Sequence, residues 1–384
     1  MEYLLEGIAA VTWQQLLMIG IGTLLIILAI KKDLEPALLL PMGFGAILVN
    51  LPLSGAIDQI IGGSVAAKGI IEWLFEVGIE ASEALPLLLF IGIGAMIDFG
   101  PILANPKLMF FGAAAQVGIF LTIILAQFIS DISPLNFAIN DAASIGMIGA
   151  ADGPTAILVS QVLDSKYVGA IAVAAYSYMA LVPIIQPIVM KACTTKKERM
   201  IRMEYNPSSV SQTTKVIFPI LVTVITGFIA PASVSLVGFL MFGNLLRECG
   251  VLKTLTETAS NSLSNLITLL LGITISFSMK AENFVKWDTL MIMGLGLAAF
   301  VFDTFGGIML AKIVNLFTKK KINPLIGAAG ISAFPMASRV VQKVGLEADP
   351  TNHLLMHAVG ANVAGQIGSV VAGGMILSLV AQLL

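Results

Sequence analysis

Gly149-Ala150-Ala151-Asp152-Gly153-Pro154-Thr155 is the stretch on which the reading of this chain turns. It sets a carboxylate among helix breakers, in a sequence with 57% apolar and only 11% charged residues. Soluble domains carry about a quarter charged residues, so with a mean hydropathy of +0.95 the composition predicts an all-α polytopic membrane protein. A charge at membrane depth is expensive unless an ion, a proton or a partner offsets it, which makes Asp152 a candidate for ion handling. Pro154 suits the first turn of a helix, where its missing N–H costs nothing, so Asp152 or Gly153 is a natural cap. The run Ala142 to Ile148 then ends at Gly149, and two half-helices face each other across a Gly-rich break with exposed carbonyls. Sodium, a hard cation, is held by such carbonyls together with amide and hydroxyl oxygens, and Asp152 supplies the charge. The competing reading is a cap lying in the interface and solvated by headgroups.

Outward from this break, apolar windows of roughly 17–25 residues mark spanning helices. They fall at 13–30, 36–53, 84–98, 107–130, 168–191, 216–234, 235–247, 262–280, 288–315 and 353–383, which predicts about 9 to 11 transmembrane helices, some of them discontinuous or re-entrant. Residues 57–80, with Asp58, Lys68, Glu72 and Glu76 among Ile, Val, Leu and Phe, read as amphipathic and interfacial. The long polar connection Thr194 to Lys215, with Lys196, Lys197, Glu198, Arg199, Arg202 and Asn206-Pro207, divides the chain in two. The expected organisation is 1–83, N-terminal helices and interfacial segment; 84–193, a first repeat; 194–215, the polar loop; 216–284, linking helices; and 285–384, a second repeat.

The repeat rests on paired landmarks. Asp98-Phe-Gly-Pro101, Asn105-Pro106 and the Asp152 cluster are matched by Asp303-Thr-Phe-Gly-Gly307, Asn323-Pro324 and Gly360-Ala361-Asn362. Asn105 to Asn323 and Asp152 to Asn362 have similar offsets, about 210 to 220 residues, and transporter folds commonly place their sites where such repeats meet. Asn362 is therefore expected in a second break, where its buried amide needs a partner; the glycines around it also serve close helix packing. The basic runs Lys31-Lys32, Lys191 to Arg202 and Lys319 to Lys321 are expected in the cytoplasm. An inverted repeat would put Lys107 and the Lys319 run on opposite faces, and the larger clusters are followed here.

Other candidates carry less. Arg339 has a planar fork suited to a carboxylate, or snorkels to the interface. Tyr176 and Tyr178 lie in an apolar window, where a phenol relays a proton or anchors at the interface. His353 and His357 are four apart, a spacing that puts two imidazoles on one helix face, but no third ligand stands beside them. Cys193 and Cys249 are the only cysteines, too few for a disulfide framework or a thiolate zinc site. Net charge is −2 with no basic surface, which sets nucleic acid aside. The start Met1-Glu2-Tyr3-Leu4-Leu5-Glu6 is acidic, unlike a cleavable signal, so the apolar stretch after Trp13 is expected to remain as a helix.

At this point the motifs match a family. GAADGPTAI at 149–157, AYSYMALVPIIQP at 175–187, NPLIGAAGISAFPMASRV at 323–340 and GANVAGQIGS at 360–369 closely resemble the β subunit of the biotin-dependent, sodium-translocating decarboxylases of oxaloacetate, methylmalonyl-CoA and glutaconyl-CoA. The likeness runs over essentially the whole chain. It implies a multi-pass subunit of a bacterial-type inner membrane that decarboxylates carboxybiotin on a biotin carrier while exporting sodium. The implied partners are a carboxyltransferase α subunit, the biotin carrier protein and a small membrane anchor subunit, in a complex containing more than one copy of this chain. The implied cofactors are sodium and a biotin not attached to this chain. By the same resemblance Asp152, Asn323 and Asn362 would hold sodium, Arg339 would anchor the carboxylate, and Tyr178 and Ser332 would assist the proton, with Gly153, Gly327, Gly360 and Ser369 in support. The chain is shorter than oxaloacetate-type members, which tilts toward a CoA ester. Two rivals stand beside this: a secondary transporter of sodium and a small carboxylate that performs no chemistry, and an intramembrane metal enzyme built on His353 and His357.

Overall fold

In lipid every backbone N–H and C=O must be satisfied within the protein, so long apolar runs become helices. The structure, a computed structural model, describes residues 7, 9–32, 36–61, 64–81, 83–132, 137–203, 210–229 and 231–383. The acidic start at 1–6, and Asn206-Pro207 of the polar connection, lie outside the described residues. Helices α1 (Trp13–Lys32) and α2 (Pro36–Asn50) pack so closely that a Cβ on Gly22 would lie 2.6 Å from the Gly43 carbonyl oxygen.

Residues 57–80, expected to be amphipathic and interfacial, combine strands with helix. They form an antiparallel ribbon, β1 (Asp58–Ile61) and β2 (Ser64–Lys68), followed by α3 (Ile70–Phe75). The Gly62-Gly63 pair between Ile60-Ile61 and Ser64-Val65 is a hairpin signal in the sequence. The chain then widens into a π turn over Glu76–Glu80 and bends 66° into α4 (Ala84–Met96).

Beside short helical turns at Gly100–Ala104, Lys196–Arg199 and Ala281–Phe284, the helices that follow are α5 (Met109–Ala115), α6 (Val117–Ile132), α7 (Ile139–Gly146), α8 (Gly153–Val162), α9 (Val168–Cys193), α10 (Gln212–Ile229), α11 (Val234–Glu248), α12 (Lys253–Met279), α13 (Trp287–Phe317), the single turn α14 (Leu325–Ala328), α15 (Met336–Ala348) and α16 (Leu355–Val380). α9 bends by 67° between Met179 and Leu181, where Pro183 cannot donate to the Met179 carbonyl. Among the described residues five helices are long and apolar enough to cross a membrane, or up to seven if each bent pair is one span. That is fewer than the sequence windows suggest, because Pro36–Asn50 and Gln212–Phe228 are short apolar helices and Val234–Glu248 has only 15 residues.

Asn362 does not lie in a break. α16 runs unbroken through it, since Ala, Val and Gln space the glycines and their lost helix propensity is recovered by close packing. The interruption in the second half falls instead between α14 and α15, over Ala329 to Pro335. The offset that paired Asp152 with Asn362 therefore does not relate the two interruptions. His353 precedes α16 while His357 lies inside it, so their spacing does not set two imidazoles on one helix face.

The described start of the polar connection, 194–203, is docked on the helices. Thr195 caps the turn Lys196–Arg199 in a reciprocal pair with Glu198. Lys191 pairs with Glu347 at 2.7 Å, Lys312 with Glu198 at 3.1 Å and Arg202 with Asp349 at 2.8 Å. Arg202 and Thr351 hold the Asp349 carboxyl down at about 2. The amides of Asn323 and Asn352 both donate to the carbonyls of Arg199 and Ile201, at 2.8–3.1 Å. The Lys191–Arg202 cluster and the end of α13 thus share one face, as the positive-inside rule expects.

Candidate functional site

The two interruptions meet. Ala151 takes a left-handed turn with φ 52, which swings the chain from the Met147–Ala150 turn into α8 and leaves Asp152 as its N-cap. The Ser332 N–H, from the second interruption, donates to the Ala150 carbonyl at 3.0 Å. Two broken helices therefore cross at their non-helical residues, an arrangement tolerated at depth only where protein or a cavity covers it.

Asp152 is buried. Its Oδ1 accepts from the Thr155 N–H at 3.4 Å, and its Oδ2 accepts from the Thr155 hydroxyl at 2.7 Å and the Ser369 hydroxyl at 2.8 Å. Ser369 has a second acceptor within reach, the Gln366 carbonyl at 3.1 Å. On the same stripe of α16, two turns back, the Asn362 amide donates to the Ile331 carbonyl at 2.7 Å. Gln366 Nε2 donates to the Ser332 carbonyl, and the Ser332 hydroxyl donates to the Gly365 carbonyl at 2.8 Å. The second interruption is thus stitched to α16 through its own backbone.

What these bonds leave over is informative. Asn362 Oδ1, Gln366 Oε1 and the Tyr176 hydroxyl are buried with no hydrogen-bond partner among the described residues. Orphaned buried acceptors are rare and call for an explanation. Two amide oxygens, two hydroxyls and a carboxylate form a donor set suited to a hard cation without a hydration shell.

Tyr176 and Gly153 explain one another. A Cβ at Gly153 would lie 2.4 Å from the Tyr176 ring, so only glycine lets the phenol stand against the start of α8. Tyr178 points elsewhere and donates to the Met293 carbonyl of α13 at 2.5 Å. Asn323 is also placed apart from Asp152. Its Nδ2 is spent on Arg199 and Ile201, and its Oδ1 accepts from the Leu325 N–H at 3.0 Å. Gly327 abuts Gly307, where a Cβ would lie 1.9 Å from the Gly307 carbonyl oxygen, and Gly360 accommodates Leu108. Arg339 is exposed on α15, one turn beyond Met336, whose side chain lines the cavity described next.

That cavity, of about 290 Å³, has Asp152, Tyr176, Ser332 and Gln366 on one side and Leu38, Leu89, Met179 and Phe334 on another. Behind the break lies a second wholly buried carboxylate. Asp303 Oδ1 accepts from the Ile119 N–H at 3.1 Å, near the start of α6, and a Cβ at Gly149 would come within 2.8 Å of its Oδ2. Asp303 thus supports the Gly149–Asp152 turn from α13. The sequence reading singled out neither Thr155 nor Gln366 as a ligand. Thr155 was legible as the N3 position of a helix capped by Asp152, and Gln366 as one helical turn from Asn362, had Gly360 to Gly368 been read as helix. No local signal separates Tyr176 from Tyr178. Among the described residues no group of three or more His, Cys, Asp or Glu stands together.

The sequence model of the family described as "Na+-transporting oxaloacetate decarboxylase beta subunit" matches residues 14–380. The chain belongs to that family. The methylmalonyl-CoA decarboxylase subunit beta of Propionigenium modestum is 47% identical over 97% of this chain and 96% of its own. The glutaconyl-CoA decarboxylase subunit beta of Acidaminococcus fermentans is 45% identical over 98% and 96%, and the oxaloacetate decarboxylase beta chain of Klebsiella pneumoniae is 43% identical over 95% of each. These relatives are β subunits of sodium-pumping decarboxylases, so the transporter that performs no chemistry is not favoured.

Proposed function

We propose that this β subunit removes carbon dioxide from carboxybiotin, presented on a partner biotin carrier, and couples that step to sodium transfer through Asp152. The observation that carries the reading is the buried carboxylate at the crossing of two broken helices, bonded to Ser369 of α16, the helix that also carries the unpartnered amide oxygens of Asn362 and Gln366. Sodium at this place offsets a charge that would otherwise be expensive at depth. Thr155, Ser369, Gln366 and Asn362 are the neutral ligands of this proposal, and Asn323 is a clamp on the polar loop.

The hydroxyl of Ser369 makes the exchange cheap. In the absence of an ion it donates to Asp152; with an ion present it turns to the Gln366 carbonyl, 3.1 Å away, and offers its lone pairs instead. No buried donor is orphaned in either state. The chemical step is balanced by one proton: the N–CO₂⁻ bond breaks, carbon dioxide leaves, and the ureido nitrogen takes up a proton. Ser332 and Tyr176 stand beside the cavity where that transfer would occur. Coupling needs sodium and the carboxylated carrier to favour different arrangements of the crossing. Because Ser332 is bonded to Ala150 in one interruption and to α16 through Gly365, a movement of either broken helix alters the sodium ligands directly.

The proposed setting is a bacterial-type inner membrane, in a complex with a carboxyltransferase, a biotin carrier and a small membrane subunit. Alignment with the Propionigenium methylmalonyl-CoA relative runs over 389 residues, against 422 for the Vibrio cholerae oxaloacetate relative. The shorter form favours a CoA ester as the acid handled by the complex. The test is radioactive sodium uptake into inverted vesicles holding the reconstituted complex, with carbon dioxide release measured on the same sample. Sodium uptake that follows carbon dioxide release one-for-one in time supports the proposal; release that proceeds undiminished without sodium overturns it.

A further inference from the structure

The wall of the cavity opposite Asp152 is a polar stripe on α12, a helix that composition alone assigns to lipid. Ser260, Asn261, Ser264, Asn265 and Thr268 all line it. At 100° per residue these positions fall on one broad face, while Leu266 lies opposite it and Leu269 at its edge, 56% and 45% exposed. The wide π turn over Thr258–Leu263 lies at the upper end of the stripe, a deformation often found at functional sites.

Asn261 and Asn265 are exposed, and their amides have no hydrogen-bond partner among the described residues. An amide facing hydrocarbon costs several kcal/mol by the order of magnitude of transfer data, so this face meets water. Two of the three hydroxyls have spent their protons on the helix: Ser260 donates to the Glu257 carbonyl at 3.4 Å and Thr268 to the Ser264 carbonyl at 2.8 Å. They therefore present lone pairs to the cavity. Among the described residues Asp152 is the only charged side chain that lines it. A water-filled space with acceptor walls and one anion at its base attracts cations toward that anion.

Its direction follows from neighbouring contacts. Gly360, near the start of α16, packs against Pro101 and Leu108; Asp98 pairs with Lys215 at 3.4 Å, and Lys215 with Glu248 at 3.7 Å. These contacts put the end of α11 on the face of the docked Lys191–Arg202 cluster, and α12 begins there at Lys253. Ser260 is then about 10 Å below that face and Thr268 about 12 Å deeper, at 1.5 Å per residue.

We propose that this α12 stripe is the wall of a hydrated vestibule through which sodium reaches Asp152 from the basic face. The inference rests on the proposed sodium role of Asp152, which it extends by naming the route and the side of entry. Two arms test it. In a chain with Cys193 and Cys249 replaced by serine, single variants Asn261→Cys, Asn265→Cys, Leu266→Cys and Leu269→Cys are exposed to membrane-impermeant thiol reagents in sealed vesicles of each orientation. The expected result is reaction at 261 and 265 from the basic face only, at least tenfold faster than at 266 and 269. A cationic reagent should outpace an anionic one at 265, and Asp152→Asn should narrow that gap. This arm needs no decarboxylase activity, so it stands or falls apart from the proposed reaction. Equal rates at all four positions, labelling from the opposite face, or no labelling at 261 and 265 would overturn the vestibule. In the second arm Asn261→Leu/Asn265→Leu should raise half-saturating sodium at least fivefold in the assembled complex; an unchanged sodium requirement counts against the route.

Discussion

The hydroxyl of Ser369 lies 2.8 Å from Asp152 Oδ2, across 217 residues of sequence. That contact joins α16 to the cap of α8 at the charge itself, so the two broken helices and α16 are one unit around one carboxylate. Replacing the acid removes the charge but keeps the shape. Asp152→Asn should therefore abolish sodium-dependent decarboxylation in the assembled complex while purified protein keeps its thermal transition. Wild-type turnover across a sodium titration would remove Asp152 from the mechanism.

Ser369→Ala tests the exchange of donor for ligand. The loss of one hydrogen bond costs about 1 kcal/mol, which is about a fivefold weaker hold on the ion. Half-saturating sodium should rise by about that factor, with maximal turnover largely kept at high sodium. A fall in maximal turnover with unchanged sodium dependence would instead make Ser369 a structural tether.

The tyrosines give a direct comparison between neighbours on one helix. Tyr176 faces Gly153 with its hydroxyl unpartnered, whereas Tyr178 is bonded to Met293. Tyr176→Phe should change the pH dependence of turnover or its sodium dependence and leave stability nearly unchanged, because no bond is lost. Tyr178→Phe should lower stability by about 1 kcal/mol, read as a lower melting temperature, with sodium dependence intact. The reverse pattern would return the role to Tyr178.

Much of this was legible in the sequence, and the failures have physical causes. The Asp152 break was readable because Gly, Asp and Pro each act locally: the cap, the fixed φ and the helix start need no tertiary partner. Asn362 misled for the opposite reason. Glycines in a membrane helix serve breaks and close packing alike, and only the contacts of Gly365 with Gly330 and of Gly360 with Leu108 decide for packing. The ribbon at Asp58–Lys68 was hidden because short apolar runs fit either period. Which amide oxygens would remain unpartnered, those of Asn362 and Gln366 rather than that of Asn323, which accepts from the Leu325 N–H, depended on contacts made only in the folded chain.

Asn323 offers a prediction on stability. Its amide and that of Asn352 hold the same two carbonyls, Arg199 and Ile201. Each single alanine variant should lose about 1–3 kcal/mol. The double variant should lose more than the sum, because the first loss leaves the carbonyls served and the second leaves them bare. Protease cleavage within 194–203, compared among the four proteins, reads this out. If Asn323→Ala instead weakens sodium protection against thermal unfolding and leaves cleavage unchanged, the residue belongs with the ion after all.

Arg339 separates charge from geometry. It is exposed on α15, three residues beyond Met336 at the cavity wall, on the approach a carrier-borne carboxylate would use in the proposed reaction. If the residue only snorkels, lysine offers the same charge on a long stem, and Arg339→Lys is silent. If it grips a carboxylate through its planar fork, lysine cannot reproduce the paired bonds. The expected outcome is a large loss of decarboxylation in Arg339→Lys. Sodium binding should survive, because its proposed ligands are Asp152, Thr155, Asn362, Gln366 and Ser369, and none of these touches Arg339. Sodium-dependent protection against thermal unfolding measures that binding directly, since a ligand of the folded state raises apparent stability. Normal turnover would assign Arg339 to anchoring; loss of turnover together with loss of sodium protection would mean that carboxylate capture and ion binding share one site.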